Sequence, residues 1–183
     1  MFRLPIRESA YLQIMEERHA EAVYSVVDKD RERLRKWLPW VDRTTEAEYT
    51  REFIHGALEQ FARNEGLSAA IWVAGRVAGG IGFHQISWLS KHVEMGYWIS
   101  SEFEGRGIVT GASRAMIDYA FTQWKLNRVE IRCATGNARS VAIPKRLGFT
   151  LEGTLREAQL LSDGFHDLFV FGMLAKDWPA QQP

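Results

Sequence analysis

The feature that most constrains this chain is a glycine-rich segment, Glu104–Gly111, with the sequence EGRGIVTG. It lies between a strand-like segment, residues 92–101, and a helix-like segment, residues 108–124. Glycine tolerates the backbone of a tight turn, and the first turn of a helix has N–H groups that lack partners within the helix. These N–H groups and the helix dipole attract anions, most often phosphate. The segment therefore predicts a strand–turn–helix unit that binds a ligand with phosphate groups.

Two common phosphate-binding motifs do not fit this turn. Gly105 and Gly107 match the first two glycines of a dinucleotide-binding G-x-G-x-x-G motif, but Thr110 stands at the third position. No acidic residue about 20 positions further on ends a second parallel strand, as that motif requires. A Walker A loop would end in G-K-[ST], which is also missing. The turn alone thus predicts a phosphorylated ligand without naming it.

The remaining hydrophobic patterns predict one mixed α/β domain over residues 1–183, built around one twisted sheet. The predicted strands are residues 11–14, 68–73, 77–86, 92–100, 129–134, 150–161 and 166–174. The predicted helices are residues 16–27, 28–38, about 45–61, 108–124 and 141–147. No change in composition marks a domain boundary, and 46% hydrophobic residues suffice for a core of full size.

Composition and charge exclude several classes of partner. The formal net charge is zero, so the molecule has no overall field that favours nucleic acid or an anionic membrane. No apolar run approaches the roughly 18 residues of a membrane span, and the N-terminus lacks the apolar core of a signal peptide. The single cysteine, Cys133, is expected to be a small buried residue of a strand. We expect a soluble cytoplasmic protein without nucleic-acid or membrane partners.

The order of the motifs resembles the GNAT superfamily of acyl-CoA-dependent N-acyltransferases, in which the turn reads roughly [QR]-x-x-G-x-[GA]. This chain departs from that pattern at Glu104 and Val109. Further segments are similar to the ribosomal-protein N-acetyltransferase (RimJ/RimL-like) branch: RLRKWLPW at 33–40, EMGYWI at 94–99, LNRVE at 126–130, NARS at 137–140, LGF at 147–149 with Glu152-Gly153, and the strand at 167–174. The resemblance implies a GNAT fold, with a mixed, mostly antiparallel sheet of about seven strands, about four helices and two central parallel strands that splay apart. It also implies acetyl-CoA as co-substrate, without a metal.

The resemblance assigns residues that hold coenzyme A. Backbone groups of Ile99, Ser100 and Ser101 would bind the pantetheine arm. Backbone amides of the turn would bind the pyrophosphate, and they belong to Arg106, Gly107, Ile108, Val109 and Thr110. The Arg106 side chain either adds a charge or is simply exposed. Asn137 either hydrogen-bonds the arm or caps the following helix.

The resemblance also points to catalytic groups. Ser140 would lie near the sulfur and is a candidate proton donor to the thiolate. Glu94 is the first candidate for the base, because strand alternation places it on one face with Gly96 and Trp98. A carboxylate among apolar neighbours can have a raised pKa that suits this role. The alternative is a paired structural carboxylate.

The base assignment stays open for a second reason. In this branch a glutamate on the strand after LGF can serve as the base, and the matching position here is Gln159. Glu157, two positions away, is expected on the same strand face. His84, on the preceding strand, is a further candidate.

The acceptor implied by the resemblance is the N-terminal amine of a protein. The early helices with residues 37–40 are expected to form one wall, and the turn at 162–165 another. A small-molecule amine, a non-catalytic acetyl-CoA-binding protein and an interaction module that uses the mixed-charge helix at 28–33 are the alternatives. A homodimer or higher homo-oligomer is also left open.

Overall fold

The computed structural model describes residues 2–179, which form one eight-stranded sheet with helices on both faces. The strands are β1 (Arg3–Arg7), β2 (Ala10–Ile14), β3 (Leu67–Val73), β4 (Arg76–Ser87), β5 (His92–Ile99), β6 (Arg128–Ala134), β7 (Thr150–Leu161) and β8 (Gly164–Leu174). The helices are α1 (Ala20–Lys29), α2 (Arg31–Leu34), α3 (Ala47–Ala62), α4 (Ile108–Thr122) and α5 (Ala138–Arg146). The strand order is β1-β2-β3-β4-β5-β6-β8-β7, and the one parallel pair among these strands is β5 with β6.

The predicted sheet of about seven strands gains one strand, β1, at the N-terminal edge. Its residues alternate between exposed and partly buried, as a half-buried strand requires. Pro5 lies in its centre and lacks an N–H group, which an edge strand tolerates. The predicted second helix, residues 28–38, is reduced to the single turn α2 in the structure. The other four helices each have nine or more residues, in agreement with the expectation of about four helices.

The two faces of the sheet are covered by different helices. On one side, α4 packs on the main core, which includes Val93, Met95 and Ile131. On the other side, α1 and α3 pack near Ala70 of β3. Its neighbour Ala69 belongs to the main core, because successive strand residues point to opposite faces. We call these sides the α4 face and the α1 face. No helix among residues 2–179 is both long enough and apolar enough to span a membrane.

The central parallel strands splay apart, as the resemblance implies. Strands β5 and β6 pair over three residues each, His92–Glu94 of β5 with Arg128–Glu130 of β6. Beyond that point the strands diverge, so the backbone edge of β5 over residues 95–99 is not paired with β6. The divergence opens a gap at the end of β5, just before the glycine turn.

Candidate functional site

A cleft with a volume of about 1190 Å³ lies at this gap. Its lining comes from the end of β5, the glycine turn, the first half of α4, the segment around α2, and α5 with the loop before it. Tyr97 and Trp98 both line it, although neighbouring strand residues point to opposite faces. The cleft therefore passes through the plane of the sheet and is accessible from both faces.

The glycine turn has the geometry that its sequence predicts. Gly105 and Gly107 both have φ of +70°, and Gly107 is the N-cap of α4. A Cβ atom at either position would meet nothing within 4 Å, so the turn requires glycine for its backbone conformation. The following N–H groups, those of Ile108, Val109 and Thr110, belong to the first turn of α4 and have no acceptor inside the helix. Only 8% of Val109 is exposed, so its extra bulk lies mostly within the protein.

The cleft lining is rich in positive charge. Its basic residues are Arg33, Lys36, Arg114, Arg139 and Arg146, and its one carboxylate is Glu104. The Arg146 guanidinium donates to the Thr110 hydroxyl at 3.1 Å and so reaches the first turn of α4. Unpartnered N–H groups beside several arginines suit a diphosphate. The sequence pattern did not predict Arg139 or Arg146, because nothing local shows that α5 lies against the start of α4.

The structure does not bring the Arg106 side chain to this cleft. Its guanidinium lies over the Phe103 ring, 5.6 Å from the ring centre, and its carbonyl accepts from Arg7 at 3.0 Å. The Arg106 side chain is exposed and lies outside the cleft lining.

The strand end at Ile99–Ser101 is held by its neighbours. The Ser101 N–H and hydroxyl both donate to Asp30, at 2.6 and 2.7 Å, and the Ser100 N–H donates to Ala78 at 2.7 Å. The Ile99 carbonyl accepts from Arg33 at 2.5 Å. Of these three residues only Ile99 lines the cleft, so it alone offers backbone groups there.

Asp30 is a buried carboxylate that organises this strand end. Burial by itself would raise its pKa, but hydrogen bonds from Ser101 and Arg33 lower the pKa below its ordinary value. Asp30 is therefore ionised at neutral pH and fixes the end of β5. The sequence pattern treated this residue only as part of a solvated helix face.

Ser140 lies in a cluster of hydroxyl and thiol groups on the α4 face. Its hydroxyl is 3.2 Å from the Cys133 sulfur and 3.5 Å from the Tyr97 hydroxyl, which itself donates to the Ser140 carbonyl at 3.1 Å. Burial raises the pKa of Tyr97 well above its ordinary value and also raises the pKa of Cys133. Both groups therefore keep their protons at neutral pH. Asn137 accepts the Ser140 N–H at 3.1 Å and is thus the N-cap of α5.

The structure does not bring Glu94 together with Ser140. Glu94 lies three positions before Tyr97, so its side chain is on the α1 face, where it pairs with Arg132 at 3.4 Å. His84 is the residue opposite Glu94 on β4, and neither lines the cleft. The His84 ring packs over the sheet beside Gly96, and its partial desolvation there lowers its pKa, while the rest of the residue is exposed to solvent.

The two other base candidates lie in β7, where strand alternation is interrupted. The register between β7 and β8 shifts between Leu155 and Gln159, and Glu157 has a φ of +48°. The Glu157 N–H donates to the Asp167 carboxylate at 2.8 Å. The expectation that Glu157 and Gln159 share a face rests on regular alternation, and this bulge interrupts the alternation on which it depends.

Comparisons with known proteins agree with this arrangement. Residues 11–150 match the family described as "Acetyltransferase (GNAT) domain". The chain is 34% identical over 183 residues to the putative ribosomal N-acetyltransferase YdaF of Bacillus subtilis (strain 168), covering 100% of both chains. It is 29% identical over 171 residues to the ribosomal-protein-serine acetyltransferase of Escherichia coli (strain K12), covering 93% of this chain and 96% of that one.

A solved structure of RimL, a ribosomal L7/L12 α-N-protein acetyltransferase, superposes with a TM-score of 0.92 at 26% identity, covering 94% of this chain and 98% of that one. That protein was solved in complex with coenzyme A, as a disulfide with one of its cysteines. The splayed strands, the phosphate-binding turn and the sequence matches agree, and the chain belongs to the GNAT family of acetyltransferases.

Proposed function

We propose that this protein transfers the acetyl group of acetyl-CoA to the N-terminal α-amine of a ribosomal protein in the cytoplasm. One observation carries the proposal: the glycine turn, the free edge of β5 and the Tyr97–Ser140 pair all line a single cleft. The names of the YdaF, E. coli and RimL relatives supply the acceptor class.

The cleft suits coenzyme A along its length. The N–H groups from Gly107 to Thr110 would bind the pyrophosphate, and the basic lining would neutralise it. The Ile99 backbone would pair with the pantetheine arm as a neighbouring strand does, since β6 has diverged there. This pairing would bring the thioester near Tyr97 and Ser140, at the opening through the sheet.

The proton chemistry divides between the two faces. The amine nitrogen forms a bond to the thioester carbonyl carbon, and the carbon–sulfur bond then breaks. Ser140, whose hydroxyl lies 3.5 Å from the Tyr97 hydroxyl, would give the departing thiolate its proton and would then take a proton back from solvent in the cleft. The amine would lose its proton through water to a base on the α1 face, where the candidates are His84 and Glu94, which do not line the cleft.

The expected walls of the acceptor site come close together on the α1 face. The ring centres of Trp37 and His166 are 6.5 Å apart, and His166 is next to the β7–β8 turn. A Cβ atom added to Gly136 would lie 3.6 Å from the Trp37 ring. Trp40 and Trp98 lie edge to face at 6.1 Å. These aromatic residues would form a channel that admits an extended N-terminal segment and excludes water from the reacting atoms.

The test is thiol release from acetyl-CoA with a panel of ribosomal-protein N-terminal peptides and small amines. We expect turnover with at least one peptide, and none when the same peptide is N-terminally acetylated. Turnover with small amines alone would replace the protein acceptor by the small-amine alternative. Tight binding of acetyl-CoA without turnover on any amine would favour a non-catalytic binding protein.

A further inference from the structure

Glu104, the residue that departs from the family turn, joins two arginines from opposite walls of the cleft. One carboxylate oxygen accepts from Arg33, in α2, at 2.6 Å. The other accepts from Arg139, on the first turn of α5. A carboxylate therefore stands at the start of a turn whose N–H groups suit an anion, and the arginines compensate its charge.

The two arginines are held very differently. Arg33 also donates to Asp30 at 3.1 Å and to the Ile99 carbonyl, and 32% of its side chain is exposed. Arg139 has 78% of its side chain exposed, and within residues 2–179 its one ionic partner is Glu104. Arg33 is thus fixed by three acceptors, whereas Arg139 is free to swing without leaving Glu104 unpaired.

We propose that Arg139 is a phosphate-binding residue that exchanges Glu104 for the pyrophosphate of coenzyme A. This inference rests on the proposed function, since it requires coenzyme A in the cleft. A guanidinium binds a phosphate through two parallel hydrogen bonds, as it binds a carboxylate, so the ligand competes directly with Glu104. Glu104 keeps Arg33 after the exchange. The carboxylate therefore lowers the affinity for coenzyme A, and salt that screens its charge reduces this effect.

The test is calorimetric binding of coenzyme A, 3′-dephospho-coenzyme A and pantetheine to four proteins at low ionic strength. These are the wild type, Glu104→Gln, Arg139→Gln and the double variant. Glu104→Gln removes the competing charge, so it should raise the affinity for both phosphorylated ligands about three- to tenfold and leave the affinity for pantetheine unchanged. Arg139→Gln should lower the affinity for both phosphorylated ligands about threefold relative to the wild type. In the Glu104→Gln background the same substitution should lower the affinity by a larger factor. High salt should reduce these differences.

Glu102→Gln is the matched control, because it removes the same charge two positions earlier. Glu102 pairs with Arg76 at 2.7 Å outside the cleft, so coenzyme A affinity should not change. Weaker or unchanged binding by Glu104→Gln would overturn the exchange, as would an equal effect on pantetheine. If Glu104→Gln changed the affinity for coenzyme A but not for 3′-dephospho-coenzyme A, which keeps the pyrophosphate, the pyrophosphate assignment would be wrong.

Two results separate the failure of this inference from other failures. Absence of coenzyme A binding by the wild type would contradict the proposed function itself. If Glu104→Gln does not fold, Arg139→Gln still tests the exchange, because its exposed side chain has little part in folding. Unchanged coenzyme A affinity in Arg139→Gln would then refute it.

Discussion

The two faces of strand β5 present opposite chemistry around one opening. On the α4 face, Tyr97 touches Ser140 among neutral groups whose pKa values are raised by burial. On the α1 face, Glu94 pairs with Arg132, and His84 has a lowered pKa. The α4 face thus carries neutral, protonated groups, whereas the α1 face carries an ion pair and an imidazole whose charged form is disfavoured by burial. Strand alternation places these groups on opposite faces of β5, and of these residues only Tyr97 and Ser140 line the cleft.

The largest expected effect comes from removal of the hydroxyls on the α4 face. The double substitution Tyr97→Phe with Ser140→Ala should lower kcat about 10²- to 10³-fold, because the thiolate loses its proton donor. Affinity for acetyl-CoA should change less than about threefold, since backbone amides provide the binding. Steady-state thiol release and calorimetry measure the two quantities. Tyr119→Phe removes a phenol from α4 outside the cleft and serves as the control. Unchanged kcat in the double variant would show that this face supplies no proton.

The next effect tests the charged network of the α1 face. Glu130 is 7% exposed and accepts from Arg128 and Arg132, each at 2.7 Å. Burial would raise its pKa, but these hydrogen bonds lower it. Glu130→Gln should lower the free energy of unfolding at pH 7 by about 2–3 kcal/mol, because two arginines lose a buried partner.

This loss should depend on pH in a defined direction. Because the folded-state pKa of Glu130 is below the ordinary 4.5, its contribution is present above pH 4.5 and disappears as the pH falls through the lowered value. Urea unfolding at pH 7 and at progressively lower pH measures the difference between wild type and variant. A difference that does not shrink in acid would contradict the ionic origin of the stabilisation.

The third prediction distinguishes the two candidate bases. A base must be unprotonated, so activity should rise as the pH rises through the lowered pKa of His84. His84→Gln should lower kcat/KM about tenfold at pH 7 and abolish this acid limb, because water is a poorer acceptor. Glu94→Gln should keep the limb but move it to lower pH, since the Glu94 charge raises the pKa of His84. Loss of the limb in Glu94→Gln alone would assign the base to Glu94 instead.

The smallest effect concerns Val109, at the start of α4. Val109→Ala restores a residue typical of the family turn, but the side chain is 8% exposed and binding would use the N–H group. Affinity for coenzyme A should therefore change less than about threefold, whereas the free energy of unfolding should fall by about 1–2 kcal/mol. Calorimetry and urea unfolding measure these quantities. A large gain in affinity would show that the valine obstructs the ligand.

Much of the fold and the binding turn could be predicted because the signals are local. Hydrophobic periodicity predicts most elements, and two glycines at φ of +70° form the predicted turn. Strand β1 was missed because Pro5 interrupts a short edge strand. The relation of Glu157 to Gln159 could not be predicted, since a bulge of β7 breaks the alternation on which it depends.

The sequence by itself determined the strand–turn–helix unit with free N–H groups at the start of the helix, and its motifs identified the family. These properties depend on backbone conformation within a few residues. Only the tertiary structure decided which distant groups meet: Tyr97 with Ser140, Asp30 with Ser101, and Glu104 with Arg33 and Arg139. Such contacts join residues up to 71 positions apart. They depend on how the helices pack on the sheet, which no local pattern encodes.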